Sequence, residues 1–483
     1  MNKTHTFATW RSARVMSWAL ILWAMTGYTH AQSPTAPLQS LLELTEQPPT
    51  NAPPAIKAWK LRQNTKVLFV ENHDLPMIDL KISFAAGSIH DGDSPGLATM
   101  VYSLFNEGSA LQDATAQAKA FDRLGVVLNS TINKEQSSFS LRSLSAPDVR
   151  EPALNLFAEM LGQPGFTPDG QRRAKTELIA LLEREQNDPQ KRADTRLYNE
   201  LYPGQPVAGH VYGSVDSIER IDTAQLQAFY RRAYTAANAH IVIVGDLTPE
   251  QAQTLSQALA DALPSGPALA ETGPFLMLPG NGKELHLEAD ATQSVLMLAQ
   301  NALPNQHPDA LVTRIGHEIF TRMLNTQLRE HHSVTYGVLS NVPHARNTTP
   351  WIIDLNTPAH YSLSAMTHIK TRFARFLEEG PTEQELNETK DYLQRGQPRL
   401  TVSNLRMRDE LSLINNFDQP LDLTYKAQQI EKVTREHIKV AMNRHFSADN
   451  WISIIVGPTV EQLPLPDPQQ LTQTTEQSCT STN

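Results

Sequence analysis

Cysteine is almost absent from this sequence: its 483 residues include one, Cys479, in a polar C-terminal stretch. A single cysteine cannot form a disulfide within the chain, so the cores must be large enough to do without cross-links. We expect Cys479 to be an exposed thiol with no role. A chain of this length is expected to form two or more domains.

Long apolar runs are missing beyond the first thirty residues. Three basic residues precede an apolar run over residues 15–27, which leads into Thr29-His30-Ala31. This order predicts a signal peptide over residues 1–31, cleaved after Ala31, and export to the periplasm. The alternative is a membrane anchor, but the run is shorter than the ~20 residues that a spanning helix needs. We therefore expect no membrane insertion after cleavage.

The sequence also lacks an excess of positive charge. The chain has 41 Lys and Arg residues against 51 Asp and Glu residues, a net charge of −10. Removing the three basic residues of the predicted signal (Lys3, Arg11 and Arg14) lowers this to −13. An acidic surface of this size disfavours nucleic acid and anionic membranes as partners, and we expect neither.

What the sequence does contain is an order of short strands and helices that occurs twice. The apolar strand predicted over residues 239–244 ends at Gly245, and a similar strand over residues 451–456 ends at Gly457. Two halves of similar length and element order indicate an internal duplication, with an α+β arrangement in each half. The predicted organisation is a flexible arm over 32–57, a first lobe over 58–263, a Pro- and Gly-rich linker over 264–282, a second lobe over 283–460 and a disordered tail over 461–483.

Four segments, in this order, resemble one family of metallopeptidases. They are His210-Val-Tyr-Gly213, the helix and strand over residues 223–246, the stretch from Leu328 to Tyr336, and Pro381-Thr-Glu-Gln-Glu-Leu386. Together they resemble the pitrilysin/insulinase family over about residues 58–458. The resemblance implies an α+β fold of two homologous lobes, each a mostly antiparallel sheet packed with helices.

The family's zinc motif, H-x-x-E-H on a helix, is replaced in this chain. Two histidines four residues apart reach one ion from one helix face, and the glutamate between them serves as general base. In the matching stretch Gly96–Gly108, the histidine positions hold Thr99 and Ser103, and the glutamate position holds Tyr102. Neutral hydroxyls are poor zinc ligands. The sequence therefore predicts a degenerate site with no metal and no catalytic residue.

A replacement for the missing ligands is not evident in the sequence. The family's third ligand, a glutamate on a later helix, falls near Leu181, with Glu177, Glu183 and Glu185 close by. The other candidate ligands occur singly or with unsuitable spacing: His73, His90, His317-Glu318 and the adjacent pair His331-His332. We expect each of these histidines to be exposed or to cap a helix. No G-x-S-x-G segment offers a nucleophile instead.

One functional pair of the family is retained. Members of the family carry an Arg and a Tyr seven residues apart in the second half, which bind substrate and stabilise the tetrahedral intermediate. Arg329 and Tyr336 have this spacing. A guanidinium offers paired donors to a carbonyl or carboxylate, and a phenol can donate to an oxyanion. The alternative is that Arg329 caps a helix and Tyr336 begins a core strand.

The resemblance implies a non-catalytic subunit of an exported zinc-peptidase complex. Such a chain binds extended peptide substrate and completes the chamber of a zinc-bearing homologous partner, with zinc expected only in the partner. Two alternatives stay open. One is a stand-alone peptide-binding or assembly protein with no protease role, and the other is an active peptidase with an atypical metal site.

Overall fold

The computed structural model describes residues 54–272, 275–346, 349–396 and 398–468. The predicted signal peptide, most of the predicted arm and Cys479 lie outside these residues. None of the described helices is both long enough and apolar enough to cross a membrane.

The first lobe is built on a six-stranded sheet in the order β1-β2-β6-β3-β5-β4. All neighbouring strands are antiparallel except β2 and β6, which are parallel. Alternate residues of β2 and β6 lie on opposite faces of the sheet, and both sets are buried, which is why these strands read as continuous apolar runs. The strands are β1 (Lys57–Lys60), β2 (Lys66–Glu71), β3 (Met77–Phe84), β4 (Val127–Ile132), β5 (Ser137–Leu144) and β6 (Ala239–Gly245).

Helices of the first half begin at well-defined caps. Asp113, Thr167, Asp188, Asp222 and Thr248 each accept a hydrogen bond from a backbone N–H in the first turn of the following helix. The helices are α1 (Leu97–Leu104), α2 (Ala114–Arg123), α3 (Pro147–Gly162), α4 (Pro168–Glu185), α5 (Pro189–Leu201), α6 (Val215–Arg220), α7 (Thr223–Ala233) and α8 (Pro249–Ala262).

The second lobe repeats this topology in a five-stranded sheet of order β7-β11-β8-β10-β9. Its one parallel pair, β7 with β11, corresponds to β2 with β6 of the first sheet. The two-lobed α+β fold with mostly antiparallel sheets is thus confirmed. The strands are β7 (Glu284–Glu288), β8 (Gln293–Ala302), β9 (Val338–Asn341), β10 (Thr349–Pro358) and β11 (Ile452–Gly457).

Helices of the second half pack mainly on one face of this sheet around Trp351 and Phe320. A π-helical turn, Asn325–His331, directly follows the first of them. The helices are α9 (Ala310–Leu324), α10 (Ser362–Glu379), α11 (Glu383–Gly396), α12 (Pro398–Thr401), α13 (Asn404–Asn416), α14 (Tyr425–Glu431) and α15 (Arg435–His445).

Two helices cross between the halves and cover the remaining face of each sheet. Helix α5, from the first half, packs Ala193, Leu197 and Leu201 against β8 and β11 of the second sheet. Helix α13, from the second half, packs Met407, Leu411 and Ile414 against β2 and β6 of the first sheet. The sequence segments 58–263 and 283–460 each supply a sheet, but neither forms a complete lobe alone.

Between helices α4 and α5 the chain turns at residues 186–187, Asp188 caps α5, and Pro189 occupies its first helical position. Strand β9 is short, and residues 332–337 before it form no strand. The boundary predicted for the tail differs from the structure. The start of the predicted tail, residues 461–468, lies against the second lobe, where the Leu463 N–H donates to the His360 carbonyl at 2.7 Å.

Candidate functional site

Helix α1 carries the three positions at which the zinc motif is replaced, and its start is closely held. Gly96 has φ +89, and a Cβ atom there would meet the Tyr212 carbonyl oxygen at 2.7 Å, so glycine is required. The Asp91 carboxylate accepts hydrogen bonds from the N–H groups of Gly96 at 2.6 Å and Ala98 at 2.7 Å. Burial raises the pKa of Asp91 to about 7. Helix α1 is thereby fixed against the loop around Tyr212.

The side chains at the degenerate positions are occupied by structural contacts. Thr99 is buried, and its Oγ1 donates to the Val211 carbonyl oxygen at 2.7 Å. The Tyr102 hydroxyl and the Ser130 Oγ on strand β4 lie 2.7 Å apart, and burial raises the pKa of Tyr102. Ser103 is half-buried. Helix α1 therefore presents neutral hydroxyls, two of them already hydrogen-bonded, and the residues present do not fit a zinc ion.

The expected position of the third ligand offers no carboxylate toward this helix face. Leu181 is half-buried, whereas Glu177 and Glu183 are exposed on helix α4. Glu185 is mostly buried, but its Oε2 lies 3.1 Å from the Nε2 of His210 and its Oε1 lies 3.9 Å from Lys191. Glu185, the one mostly buried glutamate of the three, therefore already has His210 and Lys191 as neighbours.

Of the other candidate histidines, His73 is exposed as expected, whereas His317 is neither exposed nor a helix cap. His317 is fully buried within helix α9, and its ring stacks on Trp351 with centroids 4.0 Å apart. His73 is exposed on the surface between the carboxylates of Asp246 at 2.6 Å and Glu71 at 3.0 Å, and the first of these contacts raises its pKa most. Among the described residues, neither His73 nor His317 belongs to a group that could hold a metal ion.

A cluster that sequence reasoning missed joins His307, Asp309 and His445. The Nε2 of His445 lies 2.8 Å from Asp309 Oδ2, and Arg444 reaches the same oxygen at 3.1 Å. His307 Nδ1 accepts the Asp309 N–H at 3.0 Å, so its neutral form carries the proton on Nε2, the nitrogen that a metal would need. This cluster is an ion-pair contact between the start of α9 and the end of α15. His445 is 136 residues from Asp309 in sequence, so no local motif joins the three residues.

Arg329 and Tyr336 lie on a short segment that is anchored in the core but displays both side chains. Leu328 and Val334 are buried on either side of Arg329, and Val338 is buried after Tyr336. Tyr336 is 89% exposed, and Arg329 is also exposed, with no hydrogen bond or ion pair to any described residue. The alternative expectation, a core tyrosine and a capping arginine, does not match this placement.

The backbone of the segment is strained and clamped. Arg329 lies in the π-helical turn Asn325–His331, and Ser333 has φ +55, an unusual conformation for a residue other than glycine. The side-chain amide of Asn325 donates to the Val338 carbonyl and accepts the Val338 N–H, each at 2.9 Å. These two hydrogen bonds, the Asn325 clamp, hold the π-helical turn against the start of strand β9. Strained backbone held by its surroundings is a feature of functional segments.

One outer strand of each sheet lies beside a region described above, β9 beside the Arg329–Tyr336 segment in sequence and β4 beside helix α1 in space. Strand β9 follows Tyr336 directly, and its Leu339 is 68% exposed. Strand β4 is an outer strand of the first sheet and is linked to helix α1 by the contact between Ser130 and Tyr102. Both strands therefore have an unpaired edge within the described residues.

Taken together, the fold and this site define a class: a two-lobed peptidase-like protein whose metal positions hold non-ligands. Family models match two segments, "Insulinase (Peptidase family M16)" over residues 66–215 and "Peptidase M16 inactive domain" over residues 220–393. The chain belongs to the insulinase, or pitrilysin-type, M16 peptidase family, as an inactive homologue.

Relatives of known structure or description agree with this assignment. The chain is similar to the crystal structure of a peptidase M16 inactive domain from Pseudomonas fluorescens, at 36% identity and a TM-score of 0.81, covering 85% of this chain and all of that one. It is 25% identical to the non-peptidase homolog YmxG of Helicobacter pylori, covering 81% of this chain and 91% of the relative. The periplasmic protease PqqL of Escherichia coli shares the fold, at 15% identity and a TM-score of 0.70, covering 84% of this chain and 46% of PqqL.

Proposed function

We propose that this chain is the non-catalytic subunit of an exported zinc-peptidase complex. It binds extended peptide substrate and contributes Arg329 and Tyr336 to the active chamber of a zinc-bearing homologue. The carrying observation is that Tyr336 is 89% exposed on the same anchored segment as Arg329, which is also exposed and has no partner among the described residues. Both side chains are therefore available to contact another molecule.

The contrast with helix α1 supports this division of labour. The hydroxyls of Thr99 and Tyr102 are engaged in contacts that tie the helix to its surroundings, so this lobe supplies structure and not metal chemistry. The Arg–Tyr segment in the other lobe is free to contact a substrate. A peptide carbonyl that becomes an oxyanion in the partner's site would receive donors from Arg329 and Tyr336.

The predicted signal peptide supports a periplasmic location, and the net charge of −13 expected after its removal makes peptides more suitable ligands than nucleic acid. The test is to purify the chain under native conditions from the cell envelope and to identify what is bound. A homologue with an intact H-x-x-E-H motif, and peptidase activity that needs both chains, is the expected result.

The second candidate is a peptide-binding protein that works without a protease. The open edge of strand β4 favours it, because that edge needs no second chain to receive an extended segment. Peptide binding by the isolated chain, with no homologue recovered from the envelope, would support this candidate over the first.

A further inference from the structure

The chain that follows strand β11 runs along the surface of the second lobe. Residues 458–468 include four prolines, which fix φ and favour an extended backbone. The Thr459 N–H donates to the carboxylate of Glu288, at the end of β7, at 3.1 Å. We call residues 459–466 the C-terminal strap.

The middle of the strap is anchored at the start of helix α10. The Gln462 side chain accepts the Leu363 N–H at 3.0 Å and donates to the Ala359 carbonyl oxygen at 3.0 Å. An N–H in the first turn of a helix needs an acceptor from outside the helix, so this contact stabilises α10 and the strap together. Further along, Leu465 packs against the core of the second lobe.

The end of the strap reaches the segment that carries Arg329 and Tyr336. The Nδ1 of His332 donates to the Pro466 carbonyl oxygen at 2.7 Å. The backbone N–H of His332 donates to the Gln327 carbonyl oxygen, in the π-helical turn, at 2.9 Å. His332 is half-buried and therefore connects the strap to the middle of the segment.

A second histidine supports the same segment from helix α10. The His368 Nε2 lies 2.8 Å from the Gln327 Oε1, and the His368 ring lies 5.4 Å from the His332 ring. Ser333, next to His332, has φ +55, and such strained backbone persists only where its surroundings hold it. The Asn325 clamp holds the segment at strand β9, whereas the contact between His332 and the strap holds it next to the strained residue.

We propose that the C-terminal strap positions the Arg329–Tyr336 segment, and that His332 is the positioning residue through which the strap acts. This inference rests on the proposed function, because it concerns how the two side chains are presented to a substrate. The hydrogen bond from His332 to Pro466 ties the segment to a strap that is itself anchored on the second lobe. Without this bond, Arg329 and Tyr336 keep their chemistry but lose a fixed position, and a displacement of ~1 Å can lower a rate about 10²-fold.

Two variants of His332 in the mature chain separate its donor from its ring. His332→Phe keeps an aromatic ring but removes the donor, so amide exchange over residues 329–336 should become about fivefold faster or more. His332→Asn keeps an N–H donor on a short side chain and should restore slow exchange. Hydrogen–deuterium exchange gives these rates, and unchanged exchange in β8 and β10 establishes that the fold is intact.

Two truncations test the strap itself. A chain that ends after Leu463 keeps the Gln462 anchor but lacks Pro466, and its exchange over residues 329–336 should match that of His332→Phe. A chain that ends after Pro468 keeps the whole strap and should match wild type. In the complex with a zinc-bearing homologue, kcat should fall about tenfold in the shorter chain and in His332→Phe, with KM and assembly unchanged. His332→Asn should recover most of this loss.

The two measurements separate the strap from the proposed function. Unchanged exchange over residues 329–336 in both His332→Phe and the shorter chain would overturn the proposal, whatever the activity of the complex. Faster exchange with wild-type kcat would show that the strap holds the segment without positioning it for the reaction, and a raised kcat would make the strap an inhibitor. Both results contradict the role given to His332. If the wild-type complex has no activity, the proposed function fails and the catalytic part of this proposal fails with it, while the exchange rates still decide whether the strap holds the segment.

Discussion

The residues that replace the zinc motif on helix α1 have structural roles. Thr99 and Tyr102 each make a hydrogen bond to a different neighbouring segment, one to the loop after His210 and one to the edge strand. Such contacts stabilise by about 1 kcal/mol each, and removing one partner of a buried bond costs more. The positions are therefore under structural constraint even though their side chains do not fit a zinc ion.

Tyr336 is the residue whose removal tests the proposed function most directly. Tyr336→Phe deletes one hydroxyl from a side chain that is 89% exposed, so stability should not change. In the complex reconstituted with a zinc-bearing partner, turnover should fall on the order of 10²-fold, because an oxyanion donor acts only where charge develops. Steady-state kinetics, with a pull-down to confirm assembly, provides the measurement.

Arg329→Lys is the companion variant, since it keeps the charge but loses the paired donors of guanidinium. It should also lower turnover while leaving assembly intact. Wild-type rates in both variants would show that the pair has no role in the reaction.

The burial of His317 predicts that the protein loses stability in acid. The imidazole is fully buried against Trp351, and burial holds its pKa well below the ordinary value of 6.5. Below about pH 6.5 the unfolded chain therefore binds a proton on the His317 imidazole that the folded chain does not bind. Its contribution to stability is complete above pH 6.5 and falls by about 1.4 kcal/mol for each pH unit below it, until the folded pKa is reached.

The measurement is urea unfolding of wild type and His317→Phe at pH 7.5 and pH 5.5. The variant keeps an aromatic ring on Trp351 but cannot be protonated, so its stability should decrease less between the two pH values. His331→Gln, at a half-exposed histidine, serves as the control and should follow wild type. An equal decrease in wild type and His317→Phe would contradict the role assigned to His317.

At the scale of elements, the sequence predicted most strands and the duplicated order but not the two crossing helices. Their apolar positions were visible: Met407, Leu411 and Ile414 have helical spacing. What the sequence could not show is that these side chains pack on the other half, because periodicity identifies an apolar face but not its partner. For the site, the spacing of Arg329 and Tyr336 was readable, whereas the Asn325 clamp depends on a π-helical turn that no local pattern indicated.

Helix α13 therefore offers a test of the crossing arrangement. Leu411 is fully buried between α13 and the first sheet, so Leu411→Ala should destabilise the protein by about 2–5 kcal/mol. Leu405, on the same helix but 39% exposed, is the matched control, and Leu405→Ala should change stability by no more than about 0.5 kcal/mol. Chemical denaturation followed by fluorescence gives both values. Similar losses of stability at the two positions would show that α13 does not cover the first sheet.

At the scale of the whole molecule, the crossing helices make the two halves mutually dependent. A charged contact accompanies the apolar ones: Arg408 on α13 lies 3.8 Å from the carboxylate of Asp79, which is fully buried on β3. On the other side, Gln190 on α5 donates to Asp354 on β10 at 2.7 Å. Separating the halves would expose an apolar sheet face on each and break these two polar contacts.

Cutting the chain in the linker should therefore leave the two halves bound to each other. Glu271 lies in an exposed part of the linker, so a break after residue 270 disrupts no described strand or helix. Fragments 32–270 and 271–483 should be insoluble or aggregated when produced alone, because each exposes the sheet face that the other covers.

Produced together, the two fragments should co-purify as a one-to-one complex with the circular dichroism spectrum of the intact chain. Size-exclusion chromatography with light scattering measures the assembly, and Leu411→Ala in the second fragment should weaken it. Two fragments that are each soluble, monomeric and cooperatively folded would show instead that the lobes are independent domains and that the crossing helices contribute little to their union.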